Sequence, residues 1–245
     1  RFERLLHASL WGNRVDLSLP VAAHLGSNRS KEAERENLLV DDTQAVWEHL
    51  QKVEPAQIAF LSDNSGTELL MDLALADFLL SERLASSVTL HLKPQPYFVS
   101  DTMPQDVFDG IEVMERGEER TRALAGRIQQ HLNSGGLRLS THWFYPTSLF
   151  YFQLPDDLRA DLAANDLVIV KGDANYRRLH GDAHWPYTTP FDYVVRYFPA
   201  PMVALRTLKG EHAVGLSAQQ VEQLPKQDPD WLVNGKRGVI QARRA

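Results

Sequence analysis

Short apolar segments alternate with longer, helix-like segments along most of this chain, and this alternation limits the folds open to it. The run at 58–61, for example, precedes residues 67–85, which are apolar and long enough for a buried helix. Strands that alternate with helices favour a parallel sheet covered on both faces, so we predict the α/β class. The predicted strands are 58–61, 88–92, 137–140, 167–170 and 202–205, and the predicted helices are 38–52, 67–85, 104–115, 117–134 and 155–164.

The pattern changes at residue 56, and we place a domain boundary there. Residues 1–6 read as the interior of a helix, and residues 38–52 carry apolar side chains at helical spacing. We therefore expect 1–55 to be a helical N-terminal segment, the remnant of a larger helical domain. The expected α/β catalytic domain is 56–245.

The charge balance and the amino-acid usage exclude several classes of protein. The chain has 26 Lys and Arg against 32 Asp and Glu, a net charge of −6, which argues against a nucleic-acid binder. It contains no cysteine, so disulfides, thiolate zinc sites and cysteine nucleophiles are absent. No apolar run approaches the roughly 20 residues that cross a bilayer. We expect a cytoplasmic protein with neither nucleic-acid nor membrane partners.

Carboxylate and amide side chains follow two of the predicted strands. Asp63 and Asn64 come directly after the first strand, and Asp101 follows the second. In open α/β sheets, ligands bind at the carboxyl ends of the strands. These hard oxygen donors suit Mg²⁺ or Mn²⁺. The alternative is that Asp63 only caps a helix and Asp101 only forms a turn.

A polar segment follows the fourth predicted strand and supplies candidate anion ligands. Lys171 begins it and can neutralise a phosphoryl group, while Arg177 can grip phosphate with two hydrogen bonds. Asn175 can orient a water or a sugar hydroxyl, and Asp173 can accept bonds from hydroxyls. We predict that residues 171–177 form a compact polar loop. A solvated loop remains the alternative for Lys171.

Five motifs occur along the chain, at residues 10–19, 61–80, 97–107, 166–182 and 206–209. In this order they resemble the metal-dependent damage-control phosphatase family, and the resemblance spans most of the chain. Within that family, the chain resembles the subfamily with an Arg-Thr-x-Lys signature: sugar-phosphate phosphatases also described as acidic-residue, or protein-glutamate, carboxyl methyltransferases. The resemblance implies a three-layer α/β/α sandwich with an added, mostly N-terminal, helical domain.

The resemblance also implies roles for individual residues. The positions of the family's metal ligands match Asp63, Asn64 and Asp101. Residues 173–177 match the family's substrate-binding loop, and Lys209 matches the signature lysine that contacts substrate phosphate. Members use Mn²⁺, Co²⁺, Ni²⁺ or Mg²⁺ and act on sugars such as fructose 1-phosphate and fructose 6-phosphate. They are thought to clear damaged or surplus phosphometabolites.

We therefore predict a metal-dependent phosphatase that hydrolyses sugar monophosphates. Whether the attacking group is a water or an aspartate stays open at this point, and we favour water because the most plausible aspartates serve as ligands. One alternative is methylation of protein carboxylates with S-adenosylmethionine. Another is a sugar-phosphate sensor without catalysis.

Overall fold

The computed structural model of the protein describes residues 1–12 and 35–243. Residues 13–19 of the first family-like segment, the middle of the expected segment 1–55 and the last two residues of the expected domain 56–245 lie outside the described ranges. The structure confirms the α/β class, with seven strands in one sheet and helices on both faces. The strands are β1 Leu38–Asp41, β2 Ala56–Leu61, β3 Ala85–Leu92, β4 Leu137–Thr141, β5 Leu167–Lys171, β6 Met202–Thr207 and β7 Gly238–Arg243. The helices are α1 Phe2–Trp11, α2 Thr43–Val53, α3 Thr67–Ser81, α4 Pro104–Glu115, α5 Glu119–Ser134, α6 Asp156–Ala163, α7 Gly172–Leu179, α8 Phe191–Val194 and α9 Ala218–Gln227.

The sheet is mostly parallel, and its strands run in the order β1-β7-β6-β5-β2-β3-β4. Among the strand pairs, β6 and β7 are antiparallel. Leu61 at the end of β2 is in register with Val170 of β5 on one side and His91 of β3 on the other. The segments that follow β2, β3 and β5 therefore begin at the same edge of the sheet.

Two apolar clusters cover the two faces of the sheet, which gives the three layers. Phe60 points into a cluster that includes Leu6 of α1 and Leu73 of α3. The next residue, Leu61, points to the opposite face and packs in a cluster with Tyr151. This alternation follows from the two-residue period of a strand.

The predicted boundary at residue 55 requires a correction. Residues 38–52 were predicted as one helix, but Leu38–Asp41 form β1, which pairs in parallel with β7 inside the sheet. Helix α1 also packs its apolar face into the same cluster as the central strands. The described part of 1–55 is thus integrated into the α/β unit, because its short apolar run pairs with a distant strand.

The predicted loop at 171–177 is also different in the structure. Lys171 ends β5, and residues Gly172–Leu179 form helix α7, which starts directly at the edge of the sheet. Glycine, aspartate and asparagine are weak helix formers, so the local sequence hides this helix.

Across the described ranges, no helix has both the length and the apolar character required to traverse a membrane.

Candidate metal and phosphate site

Asp63 and Asp101 lie together because the segment after β3 folds back onto the segment after β2. The amide of Thr102 donates to the carbonyl of Asp63 at 3.0 Å, and the amide of Ser65 donates to the carbonyl of Ser100 at 2.8 Å. Asn64 and Asp101 are bridged as an isolated antiparallel pair. Backbone hydrogen bonds therefore place all three predicted metal ligands at one point of the sheet edge.

The carboxylate of Asp101 is held from several sides. Its Oδ2 accepts the backbone amides of Tyr97 at 2.8 Å and Phe98 at 2.7 Å. Its Oδ1 accepts a hydrogen bond from the ammonium of Lys93, which also lies 4.0 Å from Oδ1 of Asp63. The carboxylates of Asp63 and Asp101 thus face the same cation.

The side-chain amide of Asn64 is oriented by three polar neighbours. Its Nδ2 donates to Asp63 Oδ2 and to Glu68 Oε2, each at 3.0 Å. Its Oδ1 accepts from the hydroxyl of Ser100 at 2.6 Å. Glu68 comes from the first turn of α3, so this helix fixes the amide beside the carboxylates.

The buried charges around Asp63 are not balanced. Burial raises the pKa of Asp63 from its ordinary value of 3.8 to about 7, the carboxylate of Glu68 adds to the rise, and Lys93 opposes it. One connected cluster of buried side chains holds four carboxylates and two ammonium groups, so two negative charges are in excess. Its charged members are Asp63, Glu68, Asp72, Asp101, Lys93 and Lys171.

An excess of two negative charges beside hard oxygen donors fits one divalent cation such as Mn²⁺ or Mg²⁺. Asp63, Asn64 and Asp101 are the residues that would hold it. Within the described ranges, no group of three His, Asp or Glu side chains is placed to bind a metal. Such a cation would therefore depend on the amide oxygen of Asn64 and on water for part of its coordination.

A cavity of about 260 Å³ is lined by these ligands and by cationic side chains. Asp63, Asn64 and Asp101 line it together with Arg177 and Lys209. A phosphate monoester placed here would meet both the ligand cluster and two cations.

Asp173 and Arg177, which the sequence predicts as substrate-binding residues, both line this cavity. Oδ1 of Asp173 accepts from Nε of Arg206 at 2.7 Å and from the amide of Lys209 at 3.3 Å. Arg177 makes a bidentate pair with Asp182, at 2.8 and 3.1 Å, and remains half-exposed. The cavity wall is therefore built from α7 and from the segment after β6.

Lys171 occupies a different place from the one predicted. Its side chain is 1% exposed, and its ammonium donates to the carbonyl of Ser9 at 2.6 Å and to Asp72 Oδ1 at 2.7 Å. Burial lowers its pKa, but Asp72 and Glu68 outweigh that effect, so the net pKa is raised. Lys171 is an internal counter-ion that joins α1 to α3, and it does not line the cavity.

Asn175 is also buried and braces the fold. Its amide donates to the carbonyls of Lys171 at 2.9 Å and Ser62 at 3.4 Å, and its Oδ1 accepts from the hydroxyl of Tyr151 at 2.8 Å. Both amide hydrogens are engaged, so a contact with a sugar hydroxyl would use the second lone pair of Oδ1.

Three neighbours of the ligands were not predicted from the sequence. Lys93 is a single lysine after a strand, and Glu68 is a single glutamate in a helix. Neither pattern predicts a binding site. Gly172 has a φ of +83°, and a Cβ there would lie 1.8 Å from Oδ2 of Asp63. Its position directly after a buried strand, at the start of a helix, is the one available signal of close backbone approach.

Arg206 follows the last predicted strand, where a cation is often only surface charge, yet its side chain is fully buried. Its guanidinium donates to Asp173, to the carbonyl of Gly210 at 2.9 Å and to the carbonyl of His212, and stacks 4.3 Å from the ring centre of Tyr176. It fixes the turn that presents Lys209 to the cavity.

Comparison with known proteins shows which proteins this chain is similar to. The chain is 37% identical over 257 residues to damage-control phosphatase ARMT1 of Danio rerio, and 36% identical over 256 residues to that of Homo sapiens. These matches cover 98% of this chain and 57% and 58% of the relatives, so the chain spans somewhat more than half of their length.

A solved structure and a family model extend the comparison. A DUF89 family protein from Pyrococcus horikoshii superposes with a TM-score of 0.55 at 16% identity, over 99% of this chain and 66% of that one, which supports the fold alone. The model of the damage-control phosphatase ARMT1-like domain matches residues 1–224. This match confirms the resemblance drawn from the five sequence segments, and the chain belongs to the damage-control phosphatase ARMT1-like domain family.

Proposed function

We propose that the chain hydrolyses sugar monophosphates with the help of a divalent cation held by Asp63, Asn64 and Asp101. The observation that carries this proposal is the buried ligand cluster, which has two excess negative charges when every group is ionised and lines a cavity together with Arg177 and Lys209. Membership of a phosphatase family supports hydrolysis of a phosphate ester. The sugar-phosphate substrate and the preference for Mn²⁺, Co²⁺, Ni²⁺ or Mg²⁺ belong to the proposal.

A divalent cation at this site would supply polarisation of the phosphoryl group and neutralisation of its charge. Lys209 and Arg177, which line the same cavity, bind the remaining phosphate oxygens and offset the charge of the transferring group. Asp173 accepts hydrogen bonds from the sugar hydroxyls. Arg206 keeps Asp173 and the Lys209 turn in position.

We infer that water, not an aspartate, attacks the phosphorus. Both oxygens of Asp101 already accept hydrogen bonds, from Lys93 and from two backbone amides. Asp63 is buried between Asn64 and Lys93 as a ligand candidate. Isolation of a phospho-aspartate after rapid quenching of the reaction would contradict this inference.

The proposal is tested by phosphate release from fructose 1-phosphate, fructose 6-phosphate and other hexose monophosphates. The purified chain is assayed with each of the four cations and with EDTA, beside Asp101→Ala and Asp109→Ala. Asp109 is an exposed aspartate of α4 and serves as the matched control. We expect release that requires a cation, is lost in Asp101→Ala and persists in Asp109→Ala.

Carboxyl methylation with S-adenosylmethionine is the alternative function. The turn between β2 and α3, residues 62–66, contains a single glycine, whereas methyl-donor and dinucleotide sites of this fold class commonly use a glycine-rich turn there. Binding of the methyl donor in EDTA, without phosphate release, would favour this alternative. Sugar-phosphate binding that survives EDTA without turnover would favour a sensor.

A further inference from the structure

Lys93 is a buried cation at the centre of the ligand cluster. It follows β3 directly, and its amide donates to the carbonyl of Thr102 at 3.0 Å, which anchors its backbone at the edge of the sheet. Its ammonium donates to Asp101 and lies 4.0 Å from Asp63. No other lysine or arginine in the described part of the chain forms an ion pair with either carboxylate.

The ammonium holds two like charges next to each other. Asp63 and Asp101 are both buried, so their mutual repulsion is weakly screened by solvent. The Lys93 ammonium offsets this repulsion and orients Oδ1 of both residues toward one point. The other oxygen of Asp101 is fixed by backbone amides, so its rotation is already restricted.

The same charge has a second consequence once a divalent cation is present. A divalent cation at this site would offset the charges of Asp63 and Asp101, and the ammonium of Lys93 would then attract an incoming phosphate dianion. Lys93 lines a second cavity of about 220 Å³, which shares Phe98 and Arg177 with the first. Its charge therefore lies beside the ligands, at a cavity that adjoins the one proposed for phosphate.

We propose that Lys93 is a positioning residue of this site, which weakens binding of the cation and strengthens binding of phosphate to the loaded site. This inference rests on the proposed function, because it assumes a divalent cation at Asp63, Asn64 and Asp101. A purely structural lysine would affect stability without shifting the two affinities in opposite directions.

The test compares the wild type with Lys93→Met, Lys93→Arg and Lys226→Met by calorimetric titration. Lys226 is an exposed lysine paired with Glu222, so its removal controls for the loss of one distant positive charge. Mn²⁺ is titrated into EDTA-treated, dialysed protein, and inorganic phosphate is titrated into the Mn²⁺-loaded protein. Circular dichroism checks the fold, and Lys93→Gln replaces Lys93→Met if the latter does not fold.

We expect Lys93→Met to bind Mn²⁺ about tenfold more tightly and phosphate about tenfold more weakly, as the loss of a buried charge beside both ligands requires. Lys93→Arg should stay close to the wild type for phosphate, and Lys226→Met should change neither affinity. Unchanged affinities in Lys93→Met, or weakening of both, would overturn the inference.

The outcomes separate this inference from the proposed function. A wild type that binds Mn²⁺ and phosphate but releases no phosphate from sugar monophosphates contradicts hydrolysis and leaves the opposite shifts testable. A wild type that hydrolyses normally, with unchanged affinities in Lys93→Met, contradicts the role of Lys93 alone. A wild type that binds no Mn²⁺ contradicts both.

Discussion

Replacing Lys171 by methionine should destabilise the protein by about 3–5 kcal/mol, the usual cost of breaking a buried ion pair by removing one partner. The ammonium lies 2.7 Å from Asp72 Oδ1 and 3.4 Å from Glu68 Oε1, and it also donates to Ser9. Methionine fills a similar volume, so the main loss is charge. Two buried carboxylates then lack their cation, and this cost is a large part of a typical stability of about 5–15 kcal/mol.

The deficit should depend on pH with a defined sign. Burial raises the pKa of Asp72 from 3.8 to about 6 in the folded protein, with Lys171 opposing the rise. Because the pKa is raised in the folded state, the contribution of Asp72 to stability is fully present below its unfolded-state pKa and is lost as the pH rises through its folded-state pKa. Without Lys171 the pKa of Asp72 rises further, so this loss continues to higher pH in the variant. The deficit should therefore grow above about pH 6.

Urea unfolding in EDTA, followed by far-ultraviolet circular dichroism at pH 5 and pH 8, measures this deficit. The double variant Lys171→Met with Asp72→Asn should recover part of the loss at pH 8, since one stranded carboxylate is removed. A deficit below about 1 kcal/mol, within the range of an exposed ion pair, would refute the reasoning. Equal losses of stability at the two pH values would also refute it. So would a double variant whose loss of stability equals the sum of the losses in the two single variants.

Two further changes test the geometry of the site. Gly172→Ala should abolish the Mn²⁺-dependent rise in melting temperature, because its Cβ would fall 1.8 Å from Oδ2 of Asp63. Gly135→Ala is the matched control, because Gly135 has a φ of +75° and no atom lies within 4 Å of a new Cβ. It should cost only about 1–2 kcal/mol of backbone strain and keep the Mn²⁺-dependent rise in melting temperature. Equal Mn²⁺ responses in the two variants would contradict the contact between residue 172 and Asp63. Arg206→Lys should cost about 2–4 kcal/mol and lower phosphate release, because an ammonium cannot reproduce the guanidinium bonds to Asp173 and two carbonyls. Unfolding and turnover are measured together, and normal turnover in Arg206→Lys would contradict its role in fixing the cavity wall.

The sequence predicts the central strands well because they are buried on both faces. The run at 167–170, for example, corresponds to β5 Leu167–Lys171. In contrast, β1 is a run of only four residues next to a helix and is partly buried, and it pairs with β7 about 200 residues later, so its identity as a strand depends on contacts between distant parts of the chain. Helix α7 cannot be predicted from the local sequence, because its first residues favour turns and its position is set by contacts at the sheet edge.

The candidate ligands could be placed from the sequence, but their neighbours could not. The rule that ligands gather at the carboxyl ends of strands brings Asp63 and Asp101 together, and the structure does the same. Lys93 directly follows β3, and it meets Asp101 because the segment between them folds back onto the sheet edge, which no spacing encodes. Lys171 was misplaced because a strand-end lysine can point to either face, and here it shares the face of Ile169, toward α1 and α3.

The central claim is that Asp63, Asn64 and Asp101 hold one divalent cation that is required for phosphate release. The most direct measurement is phosphate release from fructose 1-phosphate by EDTA-treated protein as Mn²⁺ is added back, for the wild type and for Asp63→Ala. The account predicts release that rises with Mn²⁺, saturates near one equivalent for a tight site, and is lost in Asp63→Ala although the variant remains folded. Release that persists in EDTA, or an Mn²⁺ response that is unchanged in folded Asp63→Ala, would contradict it.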